Sequence, residues 1–388
     1  MSQRKLTTAV SAALALTLSA TLSACGEAGG GESSPGGADT VTVGVVEMLT
    51  GSGAFYGQAV LEGLKVAQHE INAAGGVLGK RLELKVEDNA SDNAQSTTLV
   101  RRFAADSAVP VVIPPTYQPN FNAACAAANS DGIPAVSAQS GPPEAKNNGK
   151  GFCYTMTTDP LAQVEATLRH LKDKGMTNLV MVYDQDNGYV AFQRPNIAKV
   201  VKEGGYTLTE IGVAKGTTDY GPQISKVIEA RPDAVFPFFT IEDAARFMQQ
   251  ARAKGLDAPF FDPVSQLTSQ RLIELSGGAA EGLIASTPQS SGDVPSFKAF
   301  LDSYESLNGK RLDDPTYTGF GYDALKLVAK AMTDAGTTTD RAKIKAAIDA
   351  QTSPCLSICF DNAGGGAFLA NRFFFVRLTG SGFVPADS

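Results

Sequence analysis

Side chains able to do acid–base, nucleophilic or metal chemistry are sparse and scattered in this sequence. Its two histidines, His69 and His170, stand far apart, which leaves little material for imidazole catalysis or a zinc site. There is no GxSxG elbow, no HExxH and no Walker loop. The turn Gly51-Ser52-Gly53 lacks the GxGxxG spacing of a dinucleotide loop. Asp184, Asp186, Glu242 and Asp243 fall in loops, where acids cap helices or face water. The expectation is no catalytic residue, no metal and no cofactor. Hydrogen-bonding groups and rings do gather where apolar runs end: Tyr56; Thr116 and Tyr117; Gln139, Ser140 and Gly141; Tyr189; Phe239 and Thr240; Asp262 and Val264. Such a set suits gripping a small molecule rather than breaking a bond.

The elements that position these residues alternate. Apolar strand patterns at 41–46, 81–86, 109–113 and 133–136 are interleaved with helical patterns at 57–72, 94–106 and 120–130. A second series runs from a helix at 160–174, with Asp159 as cap and Pro160 opening it, to a short strand at 260–261. Apolar strands joined by amphipathic helices predict parallel sheet covered on both faces. A chain of 388 residues exceeds the ~250–300 that one core serves. The fold class expected is α/β, with two doubly wound lobes. Ligands in such sheets bind beyond the carboxyl ends of strands, which is where the residues above lie. The tail adds helices near 296–307, 322–335 and 342–350, then a hairpin-like stretch containing Cys355, Cys359 and residues 372–378.

The first residues read as an address. Arg4 and Lys5 precede an uncharged run at 6–21, too short for the ~20 residues of a membrane-spanning helix. It ends in Leu22-Ser23-Ala24-Cys25-Gly26, which resembles the lipobox of bacterial lipoproteins. That resemblance implies cleavage before Cys25 and a diacylglycerol on its thiol. Residues 26–39, rich in Gly and Ser, form a flexible tether. Loss of Arg4 and Lys5 takes the formal charge from −7 to about −9. No basic stripe is visible, so nucleic acid is not an expected partner. Four cysteines remain after Cys25, and an exported chain lives where disulfides persist. Cys355 with Cys359 and Cys125 with Cys153 is one arrangement; four free thiols is the other.

Leu49-Thr50-Gly51, Tyr56-Gly57-Gln58, the stretch EINAAGG at 70–76 and the acidic end of the second strand at Asp88, together with QQARAKGL at 249–256 and GGAAEGLIASTP at 277–288, resemble the branched-chain-amino-acid-binding family of type I solute-binding proteins. The resemblance spans residues 40–388. It implies two hinged lobes joined by three crossing segments, a small-molecule ligand held between them, and delivery to an ABC permease in the cytoplasmic membrane. The expected organisation is a leader at 1–24, a tether at 25–39, a first lobe at 40–157 plus 286–352, and a second at 158–285 plus 353–388. The mature chain is expected as a monomer, lipid-anchored on the outer face of that membrane.

Carried over residue by residue, the family's site falls on Tyr56, Thr116, Tyr117, Gln139, Ser140, Gly141, Tyr189, Phe239, Thr240, Asp262, Val264 and Tyr317. The position that supplies amino-acid binders with an acid against the ligand ammonium aligns with Val264. Burying an ammonium without a counter-charge costs several kcal/mol. The ligand expected is therefore carboxylate-bearing or neutral, with an apolar or aromatic part, unless Asp262 or Asp243 supplies the charge. Branched-chain or other amino acids, or a ligand-sensing role on the same fold, are the alternatives.

Overall fold

The valines at 41, 43, 45 and 46 leave β1 (Thr40–Glu47) apolar on both faces, and it is an interior strand of its sheet, one place in from an edge. The structure, a computed structural model, describes residues 40–141, 151–186, 188–289, 295–312, 315–354, 356–370, 372–380 and 382–386, with backbone only at 188–193. β1 is followed by α1 (Ala54–Ala73), β2 (Arg81–Asp88), α2 (Asn93–Ala105), β3 (Val111–Ile113), α3 (Gln118–Asp131), β4 (Ala135–Ala138) and β5 (Cys153–Thr157). The strands lie parallel in the order β5-β4-β3-β1-β2. Asp92 caps α2 through Gln95 N–H, and Gly132, at φ +69, ends α3. β5, which periodicity did not single out, is fully buried. Cys153 on it is bonded to Cys125 on α3. Cys359 is also disulfide-bonded; Cys355 and Cys25 lie outside the described residues.

The second series is α4 (Pro160–Asp173), β6 (Asn178–Asp184), α5 (Gly188–Glu203), β7 (Thr207–Val213), α6 (Gly221–Glu229), β8 (Ala234–Phe238), α7 (Ile241–Ala253), β9 (Phe261–Asp262), α8 (Arg271–Ser276) and β10 (Ile284–Thr287). Parallel strands β7-β6-β8 are continued through a bridge between Val235 and Phe260 to β9 and β10. Apolar clusters cover both faces of each sheet. In the first lobe, α1 and α10 (Pro315–Asp334) contribute one cluster, and α2 and α3 the other. In the second, α6 and α7 contribute one, and α4 and α5 the other.

The tail revisits both lobes, but not as expected. α9 (Pro295–Asn308), α10 and α11 (Arg341–Asp349) add to the first lobe's core. β11 (Phe360–Gly364) and β12 (Ala367–Ala370) then join the first sheet through β12 on β5. Only β13 (Phe374–Thr379) and β14 (Gly382–Pro385) extend the second sheet, antiparallel to β10. The expected place of residues 353–370 in the second lobe is thus corrected: Phe360 and Phe368 are buried in the first lobe's core. Ser286 and Thr287, expected in the first lobe, belong to β10 of the second. The chain passes between lobes after β5, after β10 and after β12. α10 begins at Pro315, seven residues before the expected start at Tyr322.

α1 and α10 pack backbone to backbone. A Cβ on Gly63 would stand 1.8 Å from Thr318 O, and one on Gly321 2.3 Å from Val60 O. Gly63→Ala is expected to force the helices apart and destabilise the chain by about 1–3 kcal/mol. Urea unfolding measures this, and an unchanged midpoint contradicts the contact.

Candidate functional site

The loop after β1 is held by the end of β2. Asp88 Oδ1 accepts from Leu49 N (3.0 Å) and Thr50 N (3.3 Å), and Oδ2 from the Thr50 hydroxyl (2.6 Å). These donors hold the Asp88 carboxyl below its usual pKa, against the opposing effect of burial. Ser91 Oγ accepts from Gly53 N at 3.0 Å and donates to Thr50 O at 2.9 Å. Gly51 sits at φ +84, where a Cβ would meet Ala90 O at 2.7 Å. The loop therefore presents α1's first turn, with Phe55 and Tyr56, in one fixed position.

Beneath this loop the ends of β1, β3, β4 and β5 meet in one polar network. Glu47, the last residue of β1, is 0% exposed. Its Oε2 accepts from Met48 N (3.2 Å) and Thr116 N (3.3 Å), and its Oε1 lies 2.8 Å from Thr116 Oγ1. The Ser140 hydroxyl donates to Thr116 O, and Ser137 Oγ lies 3.1 Å from Ser140 Oγ and 3.3 Å from Pro115 O. Thr155 Oγ1 accepts from Ser140 N and donates to Ser140 O. Gln139 is held at φ +58, costly for a residue with a Cβ, and its buried amide oxygen has no partner among the described residues. A Cβ on Gly141 would stand 2.5 Å from Gln118 Oε1, so only glycine leaves room for that amide. The Tyr56 and Tyr317 rings lie 4.7 Å apart, at the starts of α1 and α10.

The second lobe meets this face. Phe55 packs on the cluster that contains Phe239 and Ile241. Thr268 Oγ1, in the loop after β9, is 2.8 Å from Thr316 Oγ1 on α10. Gln289 Nε2, beyond β10, donates to Pro315 O at 2.9 Å. Gln163 on α4 braces the adjoining loop through Ser265 Oγ (2.5 Å) and Ser286 O (2.6 Å). The other expected contacts of this lobe are dispersed. Phe239 is buried between Tyr220 and Phe247, at 5.7 and 5.5 Å. Val264 belongs to a core cluster with Phe238 and Phe261. Thr240 is exposed and caps α7. Tyr189 lies in α5, with its side chain outside the described atoms. In the first lobe, Tyr117 is 46% exposed.

Acids that might oppose an ammonium are engaged. Asp262 accepts from Leu267 N at 2.6 Å and Val264 N at 3.1 Å, and burial pushes its carboxyl up to about 6 against those bonds. Asp243 pairs with Arg246 at 2.8 Å. Burial outweighs the three donors at Glu47 and raises its carboxyl to about 8. Sequence reasoning missed Glu47, Gln163, Thr268 and Thr316. An acid ending a valine-rich strand was the one available sign for Glu47. Among the described residues there is no metal-holding group of three or more His, Cys, Asp or Glu, and no helix is long and apolar enough to cross a membrane.

A family model described as periplasmic binding protein matches residues 40–376. A leucine-, isoleucine-, valine-, threonine- and alanine-binding protein of Pseudomonas aeruginosa is 25% identical over 332 residues, 84% of this chain and 87% of that one. Among solved structures, a branched-chain amino acid transporter substrate-binding protein of Streptococcus pneumoniae, in complex with isoleucine, aligns with a TM-score of 0.76 at 22% identity, covering 89% of this chain and 100% of that one. A solute-binding protein of an ABC transporter from R. palustris, in complex with benzoate, aligns at 0.73 and 21%, covering 89% and 95%.

The Glu47 carboxyl makes stability pH-dependent. Its pKa is raised on folding, so between about pH 4.5 and 8 the unfolded chain releases a proton that the folded chain keeps. Stability falls as pH rises through that window, by at most about 1.4 kcal/mol per pH unit from this group. Asp262 and Asp323, raised to about 6 and about 7, act with the same sign. Unfolding free energies of wild type and Glu47→Gln should diverge in favour of the variant from pH 5 to 8. Parallel curves would contradict the assignment.

Proposed function

The chain belongs to the periplasmic binding protein family, and from that premise we propose that it captures a small carboxylate-bearing or neutral solute, with an apolar or aromatic part, between its two lobes. It then presents the solute to an ABC permease, without chemistry. One observation carries the ligand class: Glu47, Asp262 and Asp243 are each engaged within the protein, while the first lobe offers Thr116 beside the start of α3. That helix has no side-chain cap, and a helix N-terminus favours an anion. The tyrosine pair Tyr56 and Tyr317 supplies a surface for an apolar or aromatic part. Gln139, Ser140 and Gly141 shape the neighbouring wall.

A second reading, a branched-chain amino acid, is favoured by what the Pseudomonas and Streptococcus proteins bind. The R. palustris protein, which holds benzoate, shows that this fold also accepts a ligand without an ammonium. Thermal-shift titration separates the two. Benzoate and 4-methyl-2-oxopentanoate are expected to stabilise the chain, by roughly 2.7 kcal/mol at about a hundred times the dissociation constant. Shifts with leucine, isoleucine and valine alone would overturn the carboxylate reading in favour of the amino-acid one.

The same reading places the mature chain on the outer face of the cytoplasmic membrane, held by lipid on Cys25 and the tether at 26–39. In a bacterium expressing the full chain, wild type is expected in the membrane fraction and Cys25→Ala in the soluble fraction or as unprocessed precursor. Wild type found wholly soluble would refute the anchor.

A further inference from the structure

Among the described residues, apolar packing between the lobes gathers at one ring away from the hinge. The second lobe's cluster that contains Val182, Phe239, Ile241 and Phe247 takes Phe55 as its one first-lobe partner there. Phe374 also packs across, on the first lobe's core, but it stands at the third passage itself. Phe55 lies in the first turn of α1 and is half-buried. Its own lobe holds it in place. Asp88 and Ser91 tie down the loop that presents it, and Tyr56 meets its ring edge-on at 5.3 Å.

The position of this contact gives it leverage. The chain leaves the first sheet after β5 and after β12, which are neighbours, and β1 stands three places from β5. It leaves the second sheet after β10 and re-enters at β13, again neighbours. β8 is separated from β10 by β9. Phe55 follows β1, and Phe239 and Ile241 follow β8, so ring and seat both lie away from the passages. At ~4.8 Å per strand the ring is about 14 Å from β5, and a lobe rotation of about 15° carries it about 4 Å. That is as far as an apolar contact reaches. Rotation of the lobes therefore unseats Phe55. Gln289, by contrast, lies beside a passage, just beyond β10, where it bonds Pro315 O at 2.9 Å.

Burial of a ring demands no aligned partner, so such a contact can be remade at each closing. A contact present only in the closed form favours that form. A solute that needs the closed form then binds with an affinity scaled by the closed fraction, whatever its chemistry. We propose that Phe55 is a closing latch. Seated on the second lobe, it keeps part of the ligand-free population closed and sets the affinity for every solute by one common factor. Phe55 is thus a positioning residue, separate from the wall formed by Tyr56 and Tyr317. The inference rests on capture of a solute between two lobes, and on no particular solute.

Ligand-free protein tests it first. By small-angle scattering, Phe55→Ala should have a larger radius of gyration than wild type, with Phe55→Leu between them. Equal radii in all three overturn the proposal. The sequence has no tryptophan, so Phe55→Trp sets a single indole at the junction, and this readout does not depend on Phe55→Ala folding. Its emission should be blue-shifted and partly shielded from acrylamide; emission and quenching like those of free indole overturn the latch. Benzoate, 4-methyl-2-oxopentanoate and leucine are then titrated calorimetrically into wild type and Phe55→Ala at pH 7. Each that binds wild type should bind the variant about three- to tenfold more weakly, by a shared factor, as expected for loss of a half-buried ring. A loss with one binding solute and not with another would mean that the ring touches ligand, and would also overturn the proposal. If none of the three binds wild type, the solute reading of the cleft fails, while the ligand-free scattering still decides the latch.

Discussion

Burying a carboxyl group at the end of β1 with no cation beside it among the described residues is the constraint from which the binding face is built. The two oxygens of Glu47 must be satisfied by whatever backbone and hydroxyl donors are near. Here those donors come from the loop after β3 and from the residue that follows β1. Satisfying Glu47 therefore fixes the loop that carries Thr116 and opens α3. Ser140 and Ser137 then tie the β4 end to the same loop, and Thr155 ties in β5. Four strand ends are locked to one another before any ligand arrives, and preorganised groups lose little entropy on binding.

The second lobe is attached differently. It is reached by three passages of the chain, and among the described residues it meets the first through Phe55 on its aromatic cluster, Thr268 against Thr316 and Gln289 against Pro315. A rigid face opposed by a second lobe that three passages of the chain join to it is the arrangement in which hinge closure can be driven by a bound solute. Only the closed form brings both lobes to the ligand, so the ligand shifts the balance by its extra contacts in that form.

Local pattern carried much of the fold. The valine runs of β1 and the capped start of α4 at Asp159-Pro160 are signals read within a few residues, and the structure places elements there. Pairing across long stretches was not legible. The hairpin at 360–370 has the same local pattern as a strand pair of either lobe. It goes to the first because Phe360 and Phe368 complete that core, a fact of three-dimensional packing. α10 begins before the expected Tyr322: Pro315, Gly319 and Gly321 weaken its local helical pattern, yet Gly321 is what lets α10 touch α1. At the site, position after a strand brought Thr116, Ser140 and Tyr56 to attention. The same rule also selected Phe239 and Val264, whose side chains turn into the core. Sequence position gives the strand end but not which way the side chain points. Glu47 escaped notice because burial of an acid cannot be read from its neighbours in the chain.

The central claim is reversible capture between two moving lobes. Small-angle scattering of the chain, alone and saturated with a solute that raises its melting temperature, tests it most directly. The account predicts that the radius of gyration falls on saturation and returns after dialysis, with the solute recovered unchanged. Identical scattering in both states, or recovery of an altered solute, would contradict it.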